Sequence, residues 1–289
     1  MSTGPGPMVT RRRLRAELKR LRMEKGLSID FITDELEWSV SKLTRIENGQ
    51  VGISKVDLDA LMRTYGVTDD EYIAGLQDLA RASRQRTWWS KYQRVIAPSL
   101  AEFIGAESDA SSLWYIQPLI LPTLLQTRAY AAAVNAVTVL KPMADDVAEA
   151  RVEVRLRRQK EILSSDGGRR IVVIVDEAVL RRLVGGTTIA REQLDHIVEI
   201  ADPGVLELVV LPFNAGAHFG MLGPFTLLGY DDPQDSDVVY LENAVGGLIV
   251  RDDPDVVGDY HAAATRLMEL GIRGREAVNF VRDIRKELV

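Results

Sequence analysis

The feature that most constrains this chain is a series of five short segments with helical apolar spacing in its first 86 residues. In the first segment, Leu14, Leu18 and Leu21 recur at i, i+4 and i+7, which places them on one face of a helix. Gly26 follows where such a helix would end in a left-handed residue. Residues 11–86 therefore predict a small all-α domain.

Polar residues that favour helix N-termini precede the other four segments. Ser28 is placed to cap a helix over 29–36, and Ser39 a third over 40–48, after a short break at Glu37. Ser54 opens a fourth helix with an acidic residue at the capping-box spacing, and Asp69 opens a fifth that reaches about residue 86. The pattern predicts five helices with a two-residue turn between the second and the third.

Charge is unevenly distributed along the chain. The net charge of the 289 residues is −6, but residues 1–86 hold 15 basic and 13 acidic side chains, whereas 87–289 hold 21 and 29. The range Arg11–Lys25 alone has eight basic and two acidic residues. A basic front on an acidic body predicts one small surface that meets an anion.

The segment Leu27–Gly49, LSIDFITDELEWSVSKLTRIENG, resembles the helix-turn-helix of the lambda-repressor/Cro family, also called Xre-like. The resemblance implies that the third helix lies in the major groove of double-stranded DNA. Two positions depart from the usual pattern. Thr33 stands where a small residue such as Ala is expected, and Glu37 where a turn glycine is expected.

The third helix presents an outer face opposite its apolar residues Leu43 and Ile46. We predict DNA contacts from Ser39, Ser41, Lys42, Arg45 and Asn48. Of these, Arg45 is suited to a bidentate pair with guanine, and Lys42 to a single contact with a base or phosphate. The alternative for each charged residue is an ordinary solvated helix face.

Residues before the third helix add further predicted contacts. Ser28 stands at a helix N-terminus, where backbone N–H groups favour a phosphate. Arg11, Arg12 and Arg13 are placed to follow the DNA backbone or reach a minor groove. Trp38 has two interpretations, stacking on a sugar or packing within the turn, and packing is favoured.

The sequence divides into a Gly/Pro-rich disordered tail (1–10), the helix-turn-helix domain (11–86), a helical connector (87–110) and a second domain (111–289). The connector begins within a basic and aromatic stretch, residues 81–94. Interleaved basic and aromatic residues can bind single-stranded nucleic acid. We favour the simpler interpretation that its tryptophans dock on the second domain.

The second domain alternates apolar β-branched runs with helical segments. Ile171–Val175 predicts a buried strand, and 205–211 a parallel neighbour reached through a helical crossover. Residues 114–116 predict a strand followed by a helix from Pro122, and 225–230, 238–241 and 248–250 predict antiparallel strands. The fold class is therefore α+β overall, with an all-α domain followed by an α/β domain around a mixed sheet.

This second region resembles the C-terminal domain of actinomycete WhiJ-like regulators. The matching pieces are LPTLLQTRAY, RRQKEIL, IVDEAVLRRLVGG, VVLPFNAGAH, GPFTLLGY and VVYLENAVGG. The resemblance implies a regulator, and the group is also likened to antitoxins encoded beside a small partner protein.

Catalytic and metal motifs are missing from the sequence. It has no cysteine, its three histidines are far apart, and it lacks a GxSxG elbow, a phosphate loop and an HxK motif. We therefore predict no enzyme, no metal and no cofactor. Trp114, Tyr115, Gln126 and His218 are the candidate ligand or partner contacts; the alternative is core packing for the first three and simple exposure for the histidine.

These observations predict a sequence-specific DNA-binding transcription regulator whose second domain senses a small-molecule effector or binds a partner. The chain is expected to act as a cytoplasmic homodimer, with no membrane-spanning helix. The alternative is an antitoxin that neutralises a small protein from a neighbouring gene and regulates its own operon. An enzyme tethered to DNA is a third and weaker reading.

Overall fold

The computed structural model of the chain describes residues 6–49, 51–84, 87–138, 143–163, 168–201, 204–232, 235–243 and 247–288. The chain divides into two compact units, Met1–Trp88 and Trp89–Val289. Within the described residues, no helix is long and apolar enough to cross a membrane.

The first unit is built from five helices. These are α1 (Pro7–Glu24), α2 (Ile29–Glu35), α3 (Val40–Glu47), α4 (Lys55–Thr64) and α5 (Asp70–Ala82). Each of α2 to α5 starts at a side chain that accepts a backbone N–H, namely Ser28, Ser39, Ser54 and Asp69. The four predicted caps are therefore confirmed.

One apolar core joins these helices. Its buried members include Leu14, Leu18 and Leu21 from α1, with Ile32, Leu43 and Ile46 from the next two helices. The predicted inward faces of α1 and α3 are confirmed. The apolar spacing of α4 also predicts an inward-facing Val56, but this side chain is 75% exposed.

The first and last helices of this unit differ in extent from the predicted ones. Helix α1 begins at Pro7, so residues 7–10 are helical and not a disordered tail, while residues 1–5 lie outside the described part. Proline is favoured in the first helical turn, and Val9 and Thr10 are buried, which explains the earlier start. Helix α5 ends at Ala82, and the predicted end at residue 86 lies outside the described residues.

The second unit contains a seven-stranded mixed sheet in the order β6-β5-β4-β1-β2-β3-β7. The strands are β1 (Ser112–Gln117), β2 (Arg170–Asp176), β3 (Glu207–Leu211), β4 (Phe225–Gly229), β5 (Val238–Glu242), β6 (Leu248–Arg251) and β7 (Ile272–Arg273). Strands β1, β2 and β3 are parallel, and the other pairings are antiparallel. The predicted parallel pair and antiparallel strands are confirmed.

Seven helices accompany the sheet, namely α6 (Pro98–Asp109), α7 (Arg128–Thr138), α8 (Asp145–Leu163), α9 (Glu177–Arg181), α10 (Thr187–Ala201), α11 (Pro254–Leu270) and α12 (Gly274–Glu287). One sheet face packs on residues of α6 to α10 and α12. The opposite face packs on α11. The α+β class and the mixed sheet are therefore as predicted.

Helix α6 lies within the range predicted as a helical connector. Two local features of this unit differ from the sequence prediction. Strand β7 is a two-residue strand that was not predicted. The helix expected from Pro122 is split into a short 3-10 turn (Thr123–Leu125) and α7. Gln193 maintains the break, because its side chain accepts the Thr127 N–H at 2.8 Å and donates to the Leu125 carbonyl at 2.6 Å. The sequence Asp166-Gly167-Gly168 predicts a turn, of which only Gly168 lies within the described residues.

Candidate nucleic-acid interface

The turn between α2 and α3 has the conformation that a glycine would ordinarily supply. Glu37 has a φ of 51°, the sole positive φ of a non-glycine residue within the described ranges. The Trp38 N–H donates to the Thr33 carbonyl at 2.8 Å and closes the end of α2. Glutamate therefore takes the left-handed conformation itself, and the turn geometry survives the departure from the expected glycine.

Threonine also fits at position 33, where a smaller residue was expected. Its side chain is buried at the contact between α2 and α3, and its hydroxyl lies 3.0 Å from the carbonyls of Ile29 and Asp30. The hydroxyl therefore has an acceptor within its own helix, so burial leaves no unpaired polar group.

Helix α3 is attached to α1 by an ion pair. Arg22 Nε donates to Glu47 Oε1 at 2.7 Å, and Nη2 donates to Oε2 at 3.0 Å. Arg22 Nη1 also reaches the Leu27 carbonyl at 3.2 Å. The hydrogen bonds with Glu47 raise the pKa of Arg22. This two-pronged contact fixes the rotation of α3 about its own axis and its position along α1.

A second ion pair attaches α3 to α4. Lys42 Nζ donates to Asp57 Oδ1 at 2.7 Å and lies 3.7 Å from the centre of the Trp38 ring. Burial opposes ionisation of Asp57, but hydrogen bonds from Lys42 and Ser54 outweigh it and lower the pKa of the carboxyl. Lys42 was predicted to contact DNA, yet its ammonium group already has an acidic and an aromatic partner. Trp38 packs on the core of the unit, which agrees with its favoured interpretation.

The outer face of α3 is exposed. Ser41, Arg45 and Asn48 are all solvent-exposed, and their side chains make no hydrogen bond or ion pair with any described residue. Ser39 is exposed too, but its hydroxyl accepts the Lys42 N–H. This face therefore offers one guanidinium, one amide and one hydroxyl that are available to a ligand.

Val40 was missed as a candidate on this face. It is the first residue of α3 and is 51% exposed, although it is a large apolar side chain. An apolar residue at the start of a helix in the major groove can contact the methyl group of thymine. The sequence spacing did not reveal it, because a residue three positions before the buried Leu43 is expected on the inner side of the helix.

The basic residues before α2 are less open than predicted. Arg11 Nη2 donates to the Ser83 carbonyl at 3.1 Å, and its Nε is buried. Its stem lies over Gly49, so Arg11 fills the space between α1 and the end of α3. Arg12 and Arg13 are half-buried and also interact within the chain. Ser28 is exposed and accepts the Phe31 N–H, as its capping role requires.

Three of the four candidate contacts in the second unit are core residues. Trp114 packs between the sheet and α11. Tyr115 is buried on the other face, with its hydroxyl hydrogen-bonded to Glu107. Gln126 is buried and donates to the Leu121 carbonyl at 2.7 Å. Trp114 and Tyr115 are neighbours on β1 that point to opposite faces, and both are buried because the sheet is covered on both sides.

His218 is buried as well, although a loop histidine was expected to be exposed. Its side chain is 3% exposed, and Nε2 lies 3.3 Å from Asp176 Oδ2 at the carboxyl end of β2. Nδ1 is buried without a hydrogen-bond partner in the described part of the chain. The structure thus places His218 beside an acidic residue 42 positions away in the sequence. No group of three or more potential metal ligands occurs among the described residues.

Comparison with known families gives two matches that follow the two units. Residues 13–72 match a helix-turn-helix domain, which suggests a DNA-binding regulator. Residues 100–283 match a domain of unknown function, DUF5753. No curated protein matches the chain. No solved structure matches it either. Since the second match covers more than half of the chain, the protein belongs to the DUF5753 family.

Proposed function

We propose that this DUF5753 protein is a transcription regulator that recognises double-stranded DNA sequence through α3. The observation that carries the proposal is the difference between the two sides of this helix. Its inner side is fixed by Leu43, Ile46 and the Glu47 ion pair, whereas its outer side carries unpartnered polar groups. A rigid helix with a free polar face is suited to the major groove.

Arg45 is the residue to which we assign most of the sequence discrimination. Its guanidinium is exposed and has no partner among the described residues, so binding a base does not require breaking an existing ion pair. A bidentate contact to guanine O6 and N7 contributes about 1–3 kcal/mol of discrimination, roughly a tenfold to hundredfold change in affinity. Lys42 is assigned a positioning role instead, because Asp57 and Trp38 hold its ammonium group.

The second part of the proposal is that two copies bind together. One α3 presents four or five side chains to the groove, and a single half-site discriminates poorly against a genome. Dimers of helix-turn-helix proteins contact half-sites about one helical turn apart. We assign dimerisation and the response to an effector to the second unit, because the first unit has a complete core of its own.

The proposal is tested by selecting bound sequences from a random double-stranded library with the full chain. Affinity for the enriched sequence and for a shuffled sequence is then measured by fluorescence anisotropy. Arg45→Ala should weaken binding to the enriched sequence about tenfold or more, with much less effect on the shuffled one. Arg63→Ala is the matched control, because Arg63 is an exposed arginine in the last turn of α4.

Two outcomes would contradict the DNA-reading proposal: no enrichment of any sequence, or equal effects of Arg45→Ala on both DNAs. Native mass spectrometry of the full chain tests the dimer separately. Co-purification of a stoichiometric small protein would favour the antitoxin alternative, whereas a dimer without such a protein would favour the effector-responsive regulator.

A further inference from the structure

Strand β6 (Leu248–Arg251) forms one edge of the seven-stranded sheet. It pairs with β5 on one side, and no strand within the described residues lies on its other side. An open edge offers backbone N–H and C=O groups to any strand that meets it, so proteins ordinarily protect edges by very short strands, lysine, proline or bulges. The opposite edge is protected in this way, because β7 has only two residues.

Strand β6 lacks these protections along its first three residues. Leu248, Ile249 and Val250 are uncharged and aliphatic, and the single charged residue, Arg251, stands at the end of the strand. The register with β5 is continuous over all four residues, so the strand has no bulge. Ile249 is 41% exposed and Val250 is 39% exposed, although consecutive strand residues point to opposite faces of a sheet. The edge is therefore open and apolar on both faces.

The turn between β5 and β6 shows which backbone groups of β6 point outward. The Asn243 N–H donates to the Gly247 carbonyl at 2.9 Å, and these two residues continue the β5–β6 register. They are therefore a hydrogen-bonded pair of the antiparallel ladder. Because hydrogen-bonded and non-hydrogen-bonded pairs alternate, the odd-numbered residues of β6 bond to β5, and the even-numbered residues direct their N–H and C=O groups away from it.

Leu248 and Val250 thus supply the outward backbone groups of this edge. The Val250 carbonyl accepts from Arg251 Nη1 at 3.2 Å, a surface contact that an incoming strand can replace. Leu248 is half-buried and packs against the main core of the unit, which holds this end of the strand in place. The edge therefore has two outward donors and two outward acceptors on a strand that is fixed to the sheet.

We propose that β6 pairs antiparallel with β6 of a second copy of this chain, centred on Ile249, so that the two sheets become one. In this register Leu248 of each copy lies opposite Val250 of the other, and each such pair exchanges both backbone hydrogen bonds. The two Ile249 side chains face each other. Arg251 lies opposite Gly247 of the second copy, which has no side chain to clash with it.

A second copy fits this edge because the strand has the same apolar character in both directions. Aliphatic side chains meet aliphatic side chains at three successive positions, which stabilises cross-strand pairs. The two Arg251 residues lie at opposite ends of the pairing, so like charges do not meet. Pairing of a strand with its own copy also creates a two-fold axis. Two α3 helices that read two half-sites require such an axis, so this inference rests on the proposed function and gives its dimer a surface.

The sequence has no cysteine, so one introduced cysteine reports on one position. Ile249→Cys places two thiols at a non-hydrogen-bonded pair, where Cβ atoms lie about 4.5–5.5 Å apart, close to the spacing of a disulfide. After mild oxidation, most of the full chain should run as a disulfide-linked dimer on a non-reducing gel.

Two single-cysteine variants are the controls for this cross-link. Leu270→Cys replaces an aliphatic residue of similar exposure, 48%, at the end of α11. Val250→Cys lies one residue along β6 and faces Leu248 of the second copy instead of its own equivalent. Both should give roughly tenfold less dimer, because their thiols are too far apart to bond.

Proline at position 250 tests the backbone hydrogen bonds directly. Val250→Pro removes an N–H that points outward, so the pairing of β5 with β6 is kept. The dissociation constant of the dimer should rise about tenfold or more, because each dimer loses two hydrogen bonds. Light scattering of the full chain at low micromolar concentration should then approach the mass of one chain, 32.1 kDa. Val250→Thr keeps the N–H and the branched side chain and should remain dimeric.

These measurements use no DNA, so they can fail independently of the reading of DNA by α3. A dimeric chain in which Ile249→Cys does not cross-link would overturn the β6 surface and leave the proposed dimer standing. Equal cross-linking of Ile249→Cys and Leu270→Cys, or more efficient cross-linking of Val250→Cys, would overturn it too. A monomeric chain, or a different protein bound in place of the second copy, would overturn both the surface and the homodimer. The cross-linking result does not depend on Val250→Pro, so it decides the matter even if that variant folds poorly.

Discussion

Arg22 and Glu47 form a two-pronged ion pair, with N–O distances of 2.7 and 3.0 Å, that joins the first helix of the chain to the helix assigned to DNA reading. Their side chains are 14% and 6% exposed. A buried pair of this kind costs desolvation, so its main effect is to specify geometry and not to add net stability. Because Arg45 lies two residues before Glu47, the ion pair also fixes the position of Arg45 on the surface.

The first prediction concerns this pair. Arg22→Ala leaves the Glu47 carboxylate buried and uncompensated, and should reduce the free energy of unfolding by roughly 3–5 kcal/mol. The double variant Arg22→Met with Glu47→Leu replaces both charges by apolar groups of similar volume and should recover most of that loss. Chemical denaturation followed by circular dichroism measures both. A double variant as unstable as Arg22→Ala would contradict the explanation.

The second prediction concerns the turn at Glu37, whose φ is 51°. A left-handed conformation costs a residue with a Cβ atom roughly 1–2 kcal/mol, which glycine does not pay. Glycine loses more chain entropy on folding, and this loss offsets part of the gain. We therefore expect Glu37→Gly to raise the unfolding free energy by about 1 kcal/mol and to preserve DNA affinity.

The opposite-sign control for this turn is Ala74→Gly, an exposed position inside α5. It should lower the unfolding free energy by about 1 kcal/mol, because that backbone is already helical. If Glu37→Gly also destabilises the chain, Glu37 contributes an interaction that outweighs its backbone strain.

The third prediction concerns Lys42, which Asp57 holds at 2.7 Å. Asp57→Asn keeps an acceptor for the Ser54 hydroxyl but removes the charge that retains the ammonium group. The released lysine should reach a phosphate and strengthen binding to every DNA sequence. The fall of log affinity with log salt should become steeper by about one unit. Anisotropy titrations between 50 and 300 mM salt measure this slope.

Asp59→Asn is the matched control, because Asp59 lies on the same helix and accepts from Gln77 Nε2 at 2.7 Å. It removes the same charge without releasing a lysine. Equal changes of the slope in the two variants would show that net charge, and not the release of Lys42, is responsible.

The helices and strands were largely predictable because their signals are local. Leu14, Leu18 and Leu21 lie within two turns of one helix, and the apolar run at Ile171–Val175 is a strand in itself. The departures depend on distant residues. The break before α7 is maintained by Gln193, 66 residues further along the chain, and the pairing of His218 with Asp176 spans 42 residues.

The sequence predicts which residues lie on the outer face of α3, but not which of them interact with other parts of the chain. Spacing alone placed Lys42 and Arg45 on one face of α3, and both lie outside its apolar side. Spacing gave no indication that Lys42 is held by an acidic residue from α4 while Arg45 is free. In the same way, Gln126 was a candidate ligand contact in the sequence, but its hydrogen bond from Arg155, 29 residues further along the chain, could not be predicted from local spacing.

The final prediction tests the division of labour between the two units. A fragment of residues 1–88 contains the whole core of five helices and should fold alone, with a net charge of +2 (15 basic and 13 acidic residues). It should bind the selected DNA sequence, but far more weakly than the full chain. If the second unit joins two copies, the second half-site is met at a millimolar effective concentration, and losing that link costs roughly a hundredfold or more in affinity.

The complementary fragment, residues 89–289, has a net charge of −8 (21 basic and 29 acidic residues) and should repel phosphate. It should bind no DNA, yet retain self-association and any effector that the full chain binds. Both fragments are titrated against the selected sequence at one fixed salt concentration, and their masses are measured by light scattering.

Because joining two copies adds no new DNA contact, a fused tandem of the first fragment should recover most of the lost affinity. Tight DNA binding by the acidic fragment, or full affinity of the monomeric first fragment, would contradict this division.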